Sequence, residues 1–177
     1  SKAICDNLSC GRAANHFEEA LREIGEMLGF KSQRPDNDYK VGPDNLWCGV
    51  HNQYIFFECK NEVKKDRNTI KKSEAGQMNN HCAWFEEKYG DAKVCRIFVA
   101  PTNILDHKAN LTHKVVLMNP KLLNKFKSSL DKFLMEFKDY ALSDIDKNLI
   151  QEALVTHHLT IDCIKKDYVE KIVKEKV

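Results

Sequence analysis

The chain has 177 residues, 42% of them hydrophobic and 31% charged. That supplies apolar surface for one ordinary core and excludes a disordered or low-complexity polypeptide. Lys plus Arg number 28 and Asp plus Glu 26, a net charge of +2, so a nucleic-acid partner is open to this chain only through local clustering of charge.

The first residues, SKAICDNLSCG, lack the apolar stretch of a signal peptide. Starting without Met, they suggest a piece of a larger protein. The run NHFEEALREIGEMLGF then sets Phe17, Ala20, Leu21, Ile24, Met27 and Leu28 on one helical stripe. Asn15 followed by Glu18 reads as a capping box, and Gly29 as the stop. FKSQRP is a short strand and DNDYKVGPDN a turn-rich loop. LWCGV and YIFFECK, separated by the polar HNQ, read as two strands of a hairpin. Along the second strand side chains alternate, so Phe56, Glu58 and Lys60 share one face and Ile55, Phe57 and Cys59 the other.

NEVKKDRNTIKK is polar and basic and leads into a second helix, SEAGQMNNHCAWFEEKYG, with Ser73, Met78, Cys82, Ala83, Phe85 and Tyr89 inward. KVCRIFVAP is a strand ended by Pro101, and PTNILDHKANLTH an irregular connection before the strand KVVLMN. Asn119 and Pro120 open a helix whose apolar face is Leu122, Leu123, Phe126, Leu130, Phe133, Leu134 and Phe137. Ser143 and Asp146 mark a further start, with a helix to about Val155. TIDCIKKDYVEKIVKEK reads as a last helix with Ile161, Ile164, Tyr168 and Ile172 inward. The order α, β, β, β, α, β implies an α/β fold with a mixed sheet flanked by helices.

The seven cysteines (Cys5, Cys10, Cys48, Cys59, Cys82, Cys95 and Cys163) are odd in number, scattered and without a CxxC pair. That argues against a disulfide framework or a structural zinc, and for a reducing cytoplasm. No segment reaches the roughly 20 apolar residues that span a bilayer, so no membrane partner is expected.

Pro43-Asp44, followed by Glu58-Cys59-Lys60, resembles the PD-(D/E)XK signature of the restriction-endonuclease-like nuclease superfamily. The resemblance covers about the first hundred residues, motif and element order together. It implies a core over 1–119, with the C-terminal helices of 120–177 packed on it or extending it. Those helices have three readings: completing the core, a homodimer contact, or a contact to DNA.

The resemblance implies hydrolysis of phosphodiester bonds with Mg²⁺, for which Mn²⁺ can substitute. Asp44, Glu58 and the Cys59 backbone carbonyl would supply hard oxygen ligands, and Lys60 would hold the attacking water and offset negative charge. Glu18 (or Glu19) on the first helix and Gln77 on the second would complete the catalytic set, and His81 stands four residues after Gln77, where the RecB-like branch has tyrosine. Taken singly, each residue has an ordinary reading: a turn Asp, a solvent-facing Glu, a capping Glu18, an exposed helical Gln77.

Between positions 60 and 72 six basic residues face two acidic ones. Lys64, Lys65, Arg67, Lys71 and Lys72 are thus candidate phosphate contacts beside the motif, against the ordinary reading of a solvated loop. The expected function is a DNA endonuclease of a restriction or defence protein. The alternatives are a Holliday-junction or repair nuclease, or a non-catalytic binding or assembly module on the same fold.

Overall fold

Helix α2 (Ala14–Met27) buries Phe17, Ala20, Leu21, Ile24 and Gly25 against a sheet, as its 3.6-residue periodicity requires. These contacts come from a computed structural model that describes residues 2–9, 11–60 and 67–176. A short helix, α1 (Lys2–Asn7), precedes α2. After it come β1 (Lys31–Gln33), a short helix α3 (Pro35–Tyr39), β2 (Asn45–Cys48) and β3 (Gln53–Cys59). Then follow α4 (Lys72–Tyr89), β4 (Lys93–Val99), β5 (Ile104–Leu105), β6 (Val115–Met118), α5 (Pro120–Glu136), α6 (Lys147–Thr156) and α7 (Ile161–Asp167). Two short strands, β7 (Glu170–Lys171) and β8 (Val173–Lys174), close the order.

Six strands form one mixed sheet in the order β1-β2-β3-β4-β6-β7. The β1–β2, β2–β3 and β6–β7 pairs are antiparallel, and β3–β4 and β4–β6 parallel. Helices cover both faces, so the chain is an α/β protein with a mixed central sheet. Alternation along β3 divides the core. Ile55, Phe57 and Cys59 pack with α2 and with Phe126 and Leu130 of α5. Tyr54 and Phe56 pack with Met78, Cys82 and Phe85 of α4. Parallel strands need a crossover, and α4 is the one that carries the chain from β3 to β4.

Four sequence expectations are corrected. The 35–39 segment is helical rather than loop, because Pro35 takes the first position and Lys40 closes the turn in the left-handed region at φ 61°. The Asn15–Glu18 capping box does not form, since α2 already begins at Ala14. On α4, Ser73 and Ala83 are exposed, and Ala75 takes an inward place beside Met78, Cys82 and Phe85. The tail beyond Asp167 leaves the helix. Tyr168 is fully buried with its hydroxyl bonded to Ser129 Oγ at 2.9 Å, and β7 then pairs with β6, which would otherwise be the sheet edge. The region after Pro120 is therefore a helical extension only in part. Its Leu123, Phe126, Leu130 and Phe133 belong to the same cluster as α2 and β3.

Candidate active site

The β2–β3 register pairs Asn45 with Phe57 and Leu46 with Phe56, and one step further sets Asp44 across from Glu58. The turn that delivers Asp44 is tightly built. Gly42 adopts φ +89°, and a Cβ there would meet the Trp84 ring at 3.0 Å.

Strand β2 begins only at Asn45, so the Cys59 N–H has no ladder partner on that side. Asp44 supplies one: the N–H donates to Asp44 Oδ2 at 2.6 Å. On the other side the Lys60 N–H donates to the Val99 carbonyl of β4. A strand residue's N–H and C=O point to the same edge, so the Cys59 carbonyl also faces Asp44.

Glu58 is 0% exposed. The Lys60 ammonium donates to its Oε1 at 3.0 Å and to Gln77 Oε1 at 2.9 Å. His81 Nδ1 stands 2.6 Å from Glu58 Oε2. A carboxylate only accepts, so this geometry puts the imidazole proton on Nδ1. Glu58, Lys60, Gln77 and His81 are thus one hydrogen-bonded group spanning β3 and α4. The sequence pattern singled out the first three and noted His81 only as a departure. Its signal was the four-residue step from Gln77, which puts both on one helix face.

Glu18 approaches from α2 but is engaged by Arg34, whose guanidinium is 5% exposed and donates to Glu18 Oε2 at 2.5 Å and to Glu19 Oε2 at 3.1 Å. The Glu18 carbonyl accepts from Asn45 Nδ2 at 2.9 Å, tying α2 to the start of β2. Arg34 gave no signal in the sequence, because a lone basic residue before Pro carries no pattern.

Burial, then the neighbouring charge of Glu58, pushes the Asp44 carboxyl up to about 7. Burial likewise raises Glu18 against the pull of Arg34. Burial works against the Lys60 ammonium, but Glu58 and Asp44 outweigh it and hold its pKa above the usual value. Lys60 is therefore a cation at neutral pH and acts as a donor, not a base.

No family model, curated protein or solved structure matches the chain.

The donor set fits a hard divalent cation: two buried carboxylates at opposed positions of neighbouring strands, a backbone carbonyl on the Asp44 side, and an Asp whose ionisation is penalised until positive charge arrives. Among the described residues, two groups have three ligand atoms within 4.8 Å of one another: His158, Cys163 and Asp167, and Asp106, His107 and Glu175. Asp44 and Glu58 are in neither; Asp44 is turned to the Cys59 N–H, and Arg34 holds Glu18. The described cysteines are all free thiols. Among the described residues no helix is long and apolar enough to cross a membrane.

The basic segment divides. Lys64 and Lys65 lie outside the described residues. Arg67 is corrected as a phosphate contact: its side chain is mostly buried, pairs with Glu74 and donates to the Thr69 carbonyl at 2.8 Å. Burial also lowers its pKa. Lys71 and Lys72 are exposed at the start of α4.

Proposed function

We propose that this chain is a divalent-metal-dependent nuclease domain of the PD-(D/E)XK kind, hydrolysing phosphodiester bonds in DNA as an endonuclease of a restriction or defence system. The observation that carries the reading is the meeting of Lys60 with both Glu58 and Gln77 beside Asp44. Asp44 before β2, Glu58 and Lys60 at the end of β3, and Gln77 on α4 come from three parts of the fold, and a chance motif match gives no reason for Gln77 to reach the lysine. With the short α3 inserted between β1 and β2, the order α2-β1-β2-β3-α4-β4 supports the same reading.

Asp44, Glu58 and the Cys59 carbonyl would hold Mg²⁺ or Mn²⁺. A bound divalent ion supplies a water acidic enough to attack at neutral pH and offsets charge on the phosphate. Lys60, kept cationic by Glu58, donates to the attacking water or to a phosphate oxygen as charge builds there. Gln77 holds the ammonium in place from α4. Lys71 and Lys72 attract the phosphate backbone nearby.

A second reading, a non-catalytic nucleic-acid-binding module, draws on one observation: Asp44 and Glu18 already have structural partners in Cys59 and Arg34. Supercoiled, linear, branched and modified DNA, and RNA, incubated with Mg²⁺, Mn²⁺ or EDTA, separate the two. The nuclease reading expects metal-dependent cleavage of at least one DNA form that EDTA stops. Binding without cleavage in every metal favours the module.

A further inference from the structure

Glu58 has two oxygens with two different partners. Oε1 accepts from Lys60 and Oε2 from His81, at 2.6 Å. Because Glu58 is 0% exposed, releasing either bond leaves a buried carboxylate oxygen short of a partner. Gln77 and His81, one turn apart on α4, therefore clamp the Glu58–Lys60 pair from the helix side, Gln77 through the ammonium and His81 through the carboxylate. Both sit on α4, whose adjacent residues Met78 and Cys82 are fully buried.

We propose that His81 is a positioning residue that sets which divalent ion the site accepts, by fixing the Glu58 carboxylate through Oε2 while Lys60 fixes it through Oε1, so that the group cannot turn to grip one cation with both oxygens. This rests on the metal-dependent reading above. Mg²⁺ and Ca²⁺ differ in what they ask of a carboxylate. Mg²⁺ is small, octahedral and keeps several waters, so single oxygens from one or two carboxylates suit it. Ca²⁺ takes six to eight oxygens and often grips a carboxylate through both. A Glu58 free to rotate could serve either ion. With Oε1 held by Lys60 and Oε2 by His81, turning both oxygens to one ion requires breaking the imidazole bond.

Calorimetric titration of the full chain with MgCl₂, MnCl₂ and CaCl₂ tests this without relying on turnover. The proteins compared are the parent, His81→Ala, His81→Asn and Asp44→Ala, each checked for fold by urea denaturation. For His81→Ala the expected result is a ten- to hundredfold loss of Mg²⁺ affinity, the usual range for a group that orients a metal ligand. Ca²⁺ affinity should fall less, so that the Mg²⁺/Ca²⁺ preference drops at least about tenfold. His81→Asn, whose amide nitrogen donates from near the Nδ1 position, should keep most of the preference. A merely structural His81 would lower stability and leave the ratio alone.

Should His81→Ala lose its fold, His81→Leu, which fills the space without donating, makes the same comparison. An unchanged Mg²⁺/Ca²⁺ ratio in the folded variant, with Asp44→Ala deficient in Mg²⁺ binding, overturns the role of His81 and leaves the metal reading standing. If Asp44→Ala binds Mg²⁺ as the parent does, or the parent binds none, the metal reading falls and the role of His81 falls with it.

Discussion

Lys60 Nζ lies 2.9 Å from Gln77 Oε1, a bond that joins the end of β3 to the second turn of α4. Gln77 is exposed, so its side chain adds little burial to the fold. Its value lies in where it holds the ammonium. Gln77→Ala should lower the cleavage rate about tenfold, what losing one hydrogen bond to a charged group is worth at about 1.4 kcal/mol. The urea midpoint should stay close to the parent. Single-turnover cleavage measured beside a denaturation curve checks both halves.

The Asp44 carboxyl, at about 7 in the fold against an ordinary 3.8, makes metal-free stability depend on pH. Its folded pKa lies above its unfolded one, so the folded state holds the extra proton. Stability is therefore fully present below about pH 4 and declines as pH rises towards 7, with a loss on the order of 4 kcal/mol. Asp44→Asn keeps an acceptor for the Cys59 N–H and cannot ionise. In EDTA it should be more stable than the parent at pH 8 and differ little at pH 4.5. Urea denaturation at the two pH values gives the comparison, and equal pH slopes would contradict it.

The helical stripe of α2, the β2–β3 hairpin and the face shared by Glu58 and Lys60 were legible because periodicities of 3.6 and 2 depend on local residues alone. The tail was misread because Ile161, Ile164, Tyr168 and Ile172 fit a helical spacing, while pairing with β6 is a long-range event that no local pattern announces. Arg34 was invisible for a related reason. Its meaning comes from Glu18, sixteen residues away, and only packing brings the two together. Glu18 looked equally like a cap and a site residue, and only the start of α2 at Ala14 removes the cap.

Charge on the approach to the site should separate by residue. Lys71→Ala and Lys72→Ala should each weaken DNA binding and lower the slope of log affinity against log salt by about 0.9. Arg67→Ala should act differently. The Arg67 side chain is mostly buried against Glu74, so its removal leaves that carboxylate only the Lys71 N–H and should lower stability by about 1–3 kcal/mol. Fluorescence anisotropy at several salt concentrations, with thermal melts of the same variants, distinguishes the two effects. An unchanged slope for Lys71→Ala and Lys72→Ala would return them to an ordinary solvated helix start.

Lys60→Ala tests the central claim most directly. The ammonium bonds Glu58 and Gln77, so the variant costs stability by leaving the buried Glu58 carboxylate short of a partner, and urea denaturation first establishes that it is folded under the assay conditions. The measurement is its rate of DNA cleavage in Mg²⁺, at saturating protein, against the parent on the same substrate. The nuclease reading predicts a loss of at least about a hundredfold with DNA affinity largely kept, as when a group that stabilises developing charge is removed. A folded Lys60→Ala that cuts as fast as the parent would contradict it and move the chemistry away from the end of β3.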